Sequence, residues 1–213
     1  MRVRTESKRE LIVDEASKVF FEVGYERASM AEISARVGGS KATLYGYFPS
    51  KELLFVEVAR RVGEQQIGPA FEVLNHNIDG DEATTLRRFG EGYLQFVSNP
   101  LPIAIQRTMI AESGHTAIGQ MFFESGPKVG FESLADFFKR AIERGRFRQA
   151  DPSVLVDHLF ALFGSEVLPR LMLGLPVNTS KANLRRMVDR AVTAFMGAYG
   201  ASGAERADGT SKS

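Results

Sequence analysis

The sequence contains no cysteine, and its three histidines, His76, His115 and His158, lie far apart without the spacing of metal ligands. A chain without cysteine forms no disulfide bond and has no thiolate for catalysis or zinc binding. Its glycine-containing segment VGGSKAT lacks the Gly-Lys-Ser/Thr order of a phosphate-binding loop. The sequence therefore predicts neither a metal site nor a cofactor.

Long apolar runs are absent as well. No segment reaches the roughly 20 consecutive apolar residues that cross a membrane as a helix. The first ten residues, MRVRTESKRE, also lack the apolar core of a secretory signal. These absences predict a cytoplasmic protein with no membrane partner.

Neither sign of charge is in excess. The chain has 27 lysines and arginines against 26 aspartates and glutamates, and residues 1–60 alone have ten against nine. A surface for nucleic acid would therefore have to arise from the local placement of cations. Arg2, Arg4, Lys8 and Arg9 cluster at the start of the chain. Taken alone, such a cluster is ordinarily a solvated tail.

What is present is a helical period of apolar residues along nearly the whole chain of 213 residues. Helices are expected at 7–23, 30–37, 41–47, 51–75, 82–97, 100–113, 116–145 with a break near Pro127, 151–173 and 180–199. Capping boxes at Ser7 and Ser29, a cap at Ser40 and a stop at Gly24 set the first boundaries. No segment alternates like a strand, so the fold class is all-α.

Three regions follow from this pattern. Residues 1–60 form an N-terminal three-helix domain of helix-turn-helix type, because two short helices joined by Gly38-Gly39 follow a longer supporting helix. Residues 61–200 form a second, helical domain. From residue 201 to residue 213 the composition turns to glycine, alanine, serine and charge, which predicts a disordered tail.

The helix predicted at 41–47 suits insertion into the major groove of DNA. At 100° per residue, Leu44 and Phe48 fall together as an inward apolar pair. Ala42 and Thr43 point the opposite way and are small, so the backbone can approach base edges closely. Thr43 also offers a hydroxyl for a base or phosphate and a methyl for the methyl group of thymine.

Residues that commonly contact phosphates surround this face. Lys41, Tyr45, Tyr47 and Lys51 flank it, and Ser29 and Ser40 lie at helix N-termini, where free backbone N–H groups attract phosphate. Short capped helices also occur in many helical proteins without this role. The helical period alone is compatible both with DNA binding and with ordinary packing of these helices.

The stretch RELIVDEASKVFFEVGYERASMAEISARVGGSKATLYGYFPSKELLF resembles the N-terminal DNA-binding domain of the TetR/AcrR family of bacterial transcription regulators. The segments VFFEVGYERASMAEISARVG, SKATLYGYF and PSKELLF carry the resemblance, in the order and spacing of the family. The resemblance implies that DNA contacts fall on Ser29, Ser40, Lys41, Ala42, Thr43, Tyr45, Tyr47 and Lys51. Of these, Lys41, Ala42 and Thr43 are the candidates for reading bases. Gly39 and Gly46 depart from the family pattern.

In that family the C-terminal helices form a dimer and often enclose a small-molecule site. The stretch GFESLADFFKRAIERGRFRQADPSVLVDHLFALFGS resembles the C-terminal domain of the AefR-like subgroup. The helix predicted at 151–173 is apolar over most of its circumference, and Phe195 lies on an apolar stripe of 180–199. Two such helices per subunit predict a homodimer with a four-helix interface. The alternative is that the core of one subunit covers both helices.

The second half is also rich in aromatic residues, for which core packing is the default explanation. Polar groups among them could orient a ligand, and the candidate ligand-binding residues are Phe96, Gln106, Met109, Glu112, Phe123, His158, Phe163 and Glu166. A structural hydrogen bond or a dimer contact would explain His158 and Glu166 equally well. The composition favours an apolar or aromatic effector over a highly charged one.

The sequence thus predicts a repressor that binds a palindromic double-stranded DNA operator as a homodimer and is released from it by a small-molecule effector. One alternative is a DNA-binding regulator without an effector, whose second domain only dimerises. The other is a helical enzyme with a segment like a helix-turn-helix. No nucleophile–base pair, metal spacing or phosphate loop supports the enzyme.

Overall fold

A computed structural model of the chain describes residues 2–76 and 81–201. Within these ranges the secondary structure is helical without strands, which confirms the all-α fold, and one isolated bridge joins Phe147 to Gly200. None of the helices in the described ranges has the length and apolar character needed to span a membrane. Of the tail predicted at 201–213, Ala201 is described and its amide donates to the Arg146 carbonyl at 3.0 Å, whereas residues 202–213 lie outside the described residues. The helices are α1 (Arg2–Val23), α2 (Met30–Val37), α3 (Lys41–Tyr47), α4 (Lys51–His76), α5 (Glu82–Val97), α6 (Pro100–Ser113), α7 (Ile118–Ser125), α8 (Pro127–Glu143), α9 (Pro152–Gly164), α10 (Leu168–Met172) and α11 (Lys181–Tyr199).

The predicted starts of α2 and α3 are confirmed by their caps. The Ser29 Oγ accepts a hydrogen bond from the Glu32 amide at 3.1 Å, and the Ser40 Oγ accepts one from the Thr43 amide at 3.1 Å. Gly24, at φ +83°, follows the last residue of α1. This left-handed conformation costs glycine little and other residues more, so the predicted stop is also correct.

Two helix boundaries differ from the prediction. The first helix begins at Arg2, so Ser7 lies inside it and is not its cap. No glycine or proline interrupts the segment before Ser7. The helix predicted at 151–173 is two helices, α9 and α10, separated at Ser165–Val167. Pro169 has no amide hydrogen and its ring would clash with the Ser165 carbonyl in a continuous helix.

The described chain divides into two compact units. Unit 1 consists of Met1–Glu64 and Pro100–Pro127, and unit 2 consists of Gln65–Asn99 and Lys128–Ser213. The helix α4 therefore contributes its first part to unit 1 and its last part to unit 2. The predicted domain boundary at residue 60 stays a prediction.

Unit 1 has its own apolar core around the first half of α4. The rings of Phe20 and Phe55 meet edge to face with centroids 5.0 Å apart, and Tyr25 lies 4.8 Å from Phe55. All three are buried. Burying an aromatic side chain of this size contributes roughly 1.5–3 kcal/mol, so these rings hold the turn after α1 against α4.

Unit 2 has a second core, in which α5, α8, α9 and α11 meet. Phe195 has no exposed surface, and its ring centroid lies 5.4 Å from that of Phe138 and 6.0 Å from that of Phe147. The buried stripe of α11 thus faces the core of its own subunit. The prediction that Phe195 lies at a dimer interface is wrong, because this core already covers the ring.

Candidate nucleic-acid interface

The position of α3 is fixed by the inward apolar pair that the sequence predicted. Leu44 is 2% exposed and Phe48 4% exposed. The Phe48 amide also donates to the Leu44 carbonyl at 2.9 Å and so ends the helix. On the other side, Lys41, Ala42 and Thr43 are exposed. A short helix held by one face and free on the other has the form of a groove-reading element.

The turn between α2 and α3 is closed by a residue that the sequence reasoning missed. Gly38 has φ +67°, and the Gly39 amide donates to the Ser34 carbonyl at 3.2 Å. The Ser34 hydroxyl, buried inside α2, donates to the Gly39 carbonyl at 2.8 Å. A serine on the inner face of a short helix, five residues before a glycine turn, was the available signal. This double contact fixes the angle at which α3 leaves the turn.

Ser40 and Thr43 form a small hydrogen-bonded pair at the start of α3. Besides accepting from the Thr43 amide, the Ser40 Oγ lies 2.9 Å from the Thr43 Oγ1, and either hydroxyl could be the donor. A hydroxyl offers one donor and two acceptor positions. Thr43 therefore keeps hydrogen-bonding capacity for a base or phosphate, and the Ser40 hydroxyl holds its side-chain oxygen in place before any DNA is bound.

The residues that flank the exposed face of α3 differ in their exposure to solvent and in their contacts within the protein. Tyr45 is 48% exposed and Tyr47 is half-buried. Lys51 has internal partners instead: its ammonium lies 2.9 Å from the Tyr25 carbonyl, 3.4 Å from those of Glu26 and Ala28, and 4.2 Å from the centre of the Tyr25 ring.

An ammonium has three donors, and Lys51 directs its own at the turn between α1 and α2. Sequence reasoning missed this contact, because nothing in the spacing links Lys51 to Tyr25. Its role as a phosphate contact stays a prediction. A substitution there would disturb the turn as well as any phosphate contact, so Lys51 is a poor probe of DNA binding.

A charged network joins α1 to α4 beside this surface. Glu57 on α4 accepts from Arg9 at 2.8 Å and from Arg60 at 2.8 and 3.0 Å. Burial alone would raise the pKa of Glu57. The hydrogen bonds from Arg60 and Arg9 outweigh burial and lower this pKa from 4.5 to about 2. Glu57 is therefore charged in the folded protein at all but strongly acidic pH.

This pKa predicts an acid-dependent loss of stability. A carboxylate with a depressed pKa in the folded state stabilises fully above its unfolded pKa and loses that contribution as the pH falls. For Glu57 the loss spans about pH 4.5 down to about pH 2. We expect Glu57→Gln to lower the unfolding temperature at pH 7 and to make it less dependent on pH across this window. A thermal melt series at matched ionic strength tests this, and parallel pH profiles for both proteins would contradict it.

The eight predicted ligand-binding residues fall in both units. Phe96, His158, Phe163 and Glu166 belong to unit 2, and Gln106, Met109, Glu112 and Phe123 to unit 1. Phe163 and Met109 are buried core residues, whereas Phe123 is 42% exposed. Gln106, Glu112 and Phe96 are half-buried. A ligand role for these residues stays a prediction.

Two of them have other partners on the surface. His158 is exposed, and its Nδ1 forms a hydrogen bond with the Tyr199 hydroxyl of α11. Glu166 is exposed and accepts two hydrogen bonds from Arg190, at 2.5 and 2.9 Å. The pairing lowers the pKa of Glu166. These contacts favour the surface and structural explanation for both residues over the ligand explanation.

An aromatic cluster lies within unit 2, and its rings are Phe71, Phe89, Tyr93, Phe131, Phe160 and Phe163. The Phe160 centroid lies 4.9 Å from those of both Tyr93 and Phe131. Burial raises the pKa of Tyr93 to about 12, so its hydroxyl is neutral. That hydroxyl makes no hydrogen bond to any part of the chain that the structure describes. Such a cluster suits an apolar ring with one polar substituent.

Comparison with family models places both halves of the chain. The model of the bacterial regulatory proteins of the tetR family matches residues 12–58. The model of the C-terminal domain of AefR-like transcriptional repressors matches residues 84–201. The first match covers α2 and α3, and the second begins within α5 and includes α11.

Curated relatives match over part of their length. The A-factor receptor protein of Streptomyces griseus is 30% identical over 156 residues, 71% of this chain and 51% of the relative. The transcriptional activator FasR of Mycolicibacterium smegmatis is 31% identical over 98 residues, 46% of this chain and 44% of the relative. The chain thus spans about half the length of these relatives.

Solved structures match over nearly the whole chain. A TetR-family transcriptional regulator from Mesorhizobium loti superposes with a TM-score of 0.83 at 27% identity, covering 92% of this chain and 98% of that one. The flavonoid-responsive regulator FrrA superposes with a TM-score of 0.74 at 27% identity and the same coverage. Both neighbours are described as regulators.

Proposed function

The chain belongs to the TetR family of bacterial transcription regulators, with a C-terminal domain of the AefR-like repressor type, and we propose that it binds a palindromic operator as a homodimer and is released by a small-molecule effector. The observation that carries this proposal is the geometry of α3. Its inner face is buried through Leu44 and Phe48, and its outer face exposes Lys41, Ala42 and Thr43. A regulator of bacterial operators acts in the cytoplasm, and we propose that location.

Within this proposal the exposed face of α3 reads bases and its surroundings contact phosphates. Thr43 is the central reader, because its side-chain oxygen is held by Ser40 and the residue is exposed. Lys41 and Tyr45 are exposed, and the ammonium group of one and the phenol hydroxyl of the other can hydrogen-bond to phosphates or base edges. Ser29 and Ser40 already use their hydroxyls as helix caps. We expect the free backbone N–H groups at these helix N-termini, more than the two hydroxyls, to attract phosphate.

We propose that the two subunits meet through the outward faces of α9 and α11. The inner faces of both helices are used by the core of unit 2. Their outer faces carry exposed small or apolar residues, namely Val154, Ala161, Ala194 and Ala198. Small residues permit close approach of a second pair of helices, and a two-fold axis then forms a four-helix interface.

The effector site we propose is the aromatic cluster of unit 2. A planar aromatic ligand could stack between Phe131 and Phe160 only by separating these rings, whose centroids lie 4.9 Å apart, and its polar group would then meet the Tyr93 hydroxyl. FrrA is described as flavonoid-responsive, which makes planar phenols the first class to test. A thermal-shift screen separates this proposal from a regulator without an effector, because only a ligand-binding protein gains stability with ligand concentration.

The test of DNA binding is selection of fragments from genomic DNA by the purified protein, followed by sequencing. A palindromic consensus with half-sites about one DNA turn apart, roughly 34–36 Å, is the expected result. Recovery of fragments without a shared sequence would overturn the proposal of a specific operator.

Base reading by Thr43 is tested with three substitutions. Thr43→Ala removes hydroxyl and methyl, and we expect it to weaken operator binding by about 1–3 kcal/mol and to relax one base position per half-site. Thr43→Ser keeps the hydroxyl, and Thr43→Val keeps a methyl. The variant that retains the native preference identifies the group that reads the base. If Thr43→Ala leaves affinity and preference unchanged, α3 is not the reader.

A further inference from the structure

The first turns of α1 carry two cations whose contacts lie inside the protein. The Lys8 ammonium donates to the Val37 carbonyl, the last residue of α2, at 3.1 Å. The guanidinium of Arg9, one residue further on, donates to Glu57 of α4 at 2.8 Å. The cluster of cations that looked like a solvated tail in the sequence therefore has internal partners at both of these residues.

Arg9 also contacts the end of α3. Its guanidinium carbon lies 5.2 Å from the centre of the Phe48 ring, within the range of a cation–π contact. Phe48 is the C-cap of α3 and is buried. A planar guanidinium can cover a ring and donate to a carboxylate at the same time, which a lysine ammonium does less well. Arg9 thus joins α1, the end of α3 and α4 through one side chain.

We propose that Arg9 is a positioning residue for DNA reading, which sets the placement of α3 through Phe48 and Glu57 without contacting DNA itself. The inference rests on the proposed DNA-binding function. Displacement of a reading helix by even a fraction of an ångström misaligns its contacts with base edges. Loss of Arg9 would therefore weaken specific binding more than non-specific binding.

A direct phosphate contact by Arg9 is the competing role, and salt dependence separates the two. Each phosphate neutralised by a cation adds about 0.9 to the slope of log affinity against log salt concentration. A positioning residue leaves that slope unchanged. We expect Arg9→Gln to weaken operator binding roughly tenfold, which corresponds to about 1.4 kcal/mol. Non-specific binding and the salt slope should stay at wild-type values.

The matched control is Arg60→Gln. Arg60 lies on α4 and donates to the same carboxylate of Glu57 as Arg9 does. The cation–π contact with Phe48, however, is made by Arg9. We expect Arg60→Gln to retain operator affinity, and Arg9→Lys, which keeps charge but not the planar group, to behave like Arg9→Gln. Circular dichroism confirms that each variant is folded.

Three results would overturn the proposal: wild-type operator affinity in Arg9→Gln, a salt slope lowered by about one unit, or an equal loss in Arg60→Gln. Amide hydrogen exchange at Leu44 and Phe48 gives a readout without DNA. Faster exchange there in Arg9→Gln than in Arg60→Gln is expected, and equal exchange would also contradict positioning. If the wild-type protein selects no DNA, the proposed function fails, and this exchange experiment still decides the role of Arg9.

Discussion

Replacing Ala161 or Ala198 with glutamate is expected to produce a folded monomer whose operator affinity is lower by roughly 10²- to 10⁴-fold, the advantage that linkage of two binding sites gives. Both alanines are exposed, on α9 and α11 respectively. The charge would therefore not disturb the core of unit 2. In the proposed dimer it would be buried between helices without a partner, which is strongly unfavourable.

The control variants are Ala161→Ser and Ala198→Ser, which keep the side chain small and uncharged. These should remain dimers with wild-type operator affinity. Light scattering measures the oligomeric state, and circular dichroism checks the fold. A glutamate variant that stays dimeric and keeps its operator affinity would show that the dimer interface does not lie on these faces of α9 and α11.

Phe195→Asp is a useful contrast. This substitution places a charge in the core of unit 2 beside Phe138 and Phe147. Loss of a buried aromatic ring typically costs about 3–5 kcal/mol even without the added charge. The expected result is unfolded protein and not a folded monomer, so only the surface variants test assembly.

Phe195 also shows what periodicity cannot reveal. The pattern of 180–199 correctly predicted a helix with one apolar stripe, which is α11. A period gives the direction of the stripe within its own helix but not which other helix it meets. Since an interface and a core bury the same residue types, the two explanations were equivalent until the packing against Phe138 was known.

The structure of the candidate DNA-reading helix α3 and of the turn before it was easier to predict, because its determinants are local. The caps at Ser29 and Ser40 and the inward pair Leu44 and Phe48 depend on residues within one helical turn. Local capping and amphipathic rules therefore suffice. The Ser34 hydrogen bond to Gly39 spans only five residues, so it too depends on local sequence.

The contacts that sequence reasoning missed are long-range. Lys51 meets the Tyr25 carbonyl from 26 positions away, and Arg9 meets Glu57 from 48 positions away. Composition gave no signal for either pair, because a cation on a helix is ordinarily exposed to solvent. Only the placement of α4 beside α1 and the turn after it brings each cation to its partner.

If the aromatic cluster is the effector site, as we propose, helix α4 would link it to the proposed reading helix α3. Phe71 is on the part of α4 that belongs to unit 2, and its ring lies 5.1 Å from Phe89. A ligand that displaces this ring would shift α4. The same helix begins at Lys51 in unit 1, directly after α3. Two α3 helices engage successive major grooves only near one DNA turn of separation, roughly 34–36 Å, so a shift of α4 would oppose operator binding.

This coupling predicts that operator DNA weakens effector binding by the same factor by which the effector weakens operator binding. Suppose that the effector binds the conformation unable to bind operator DNA roughly 100-fold more tightly than the other, a difference of about 2.7 kcal/mol. This preference is enough to shift a balanced equilibrium between the two conformations strongly. We therefore expect a planar phenol that stabilises the free protein to bind the protein–operator complex roughly 100-fold more weakly. Titration calorimetry with and without saturating operator measures both affinities. Tyr93→Phe keeps the ring but removes the hydroxyl. It should weaken the binding of the phenol and the release of operator DNA that the phenol causes. Equal affinities for free and DNA-bound protein would show that the aromatic cluster is packing and not a switch.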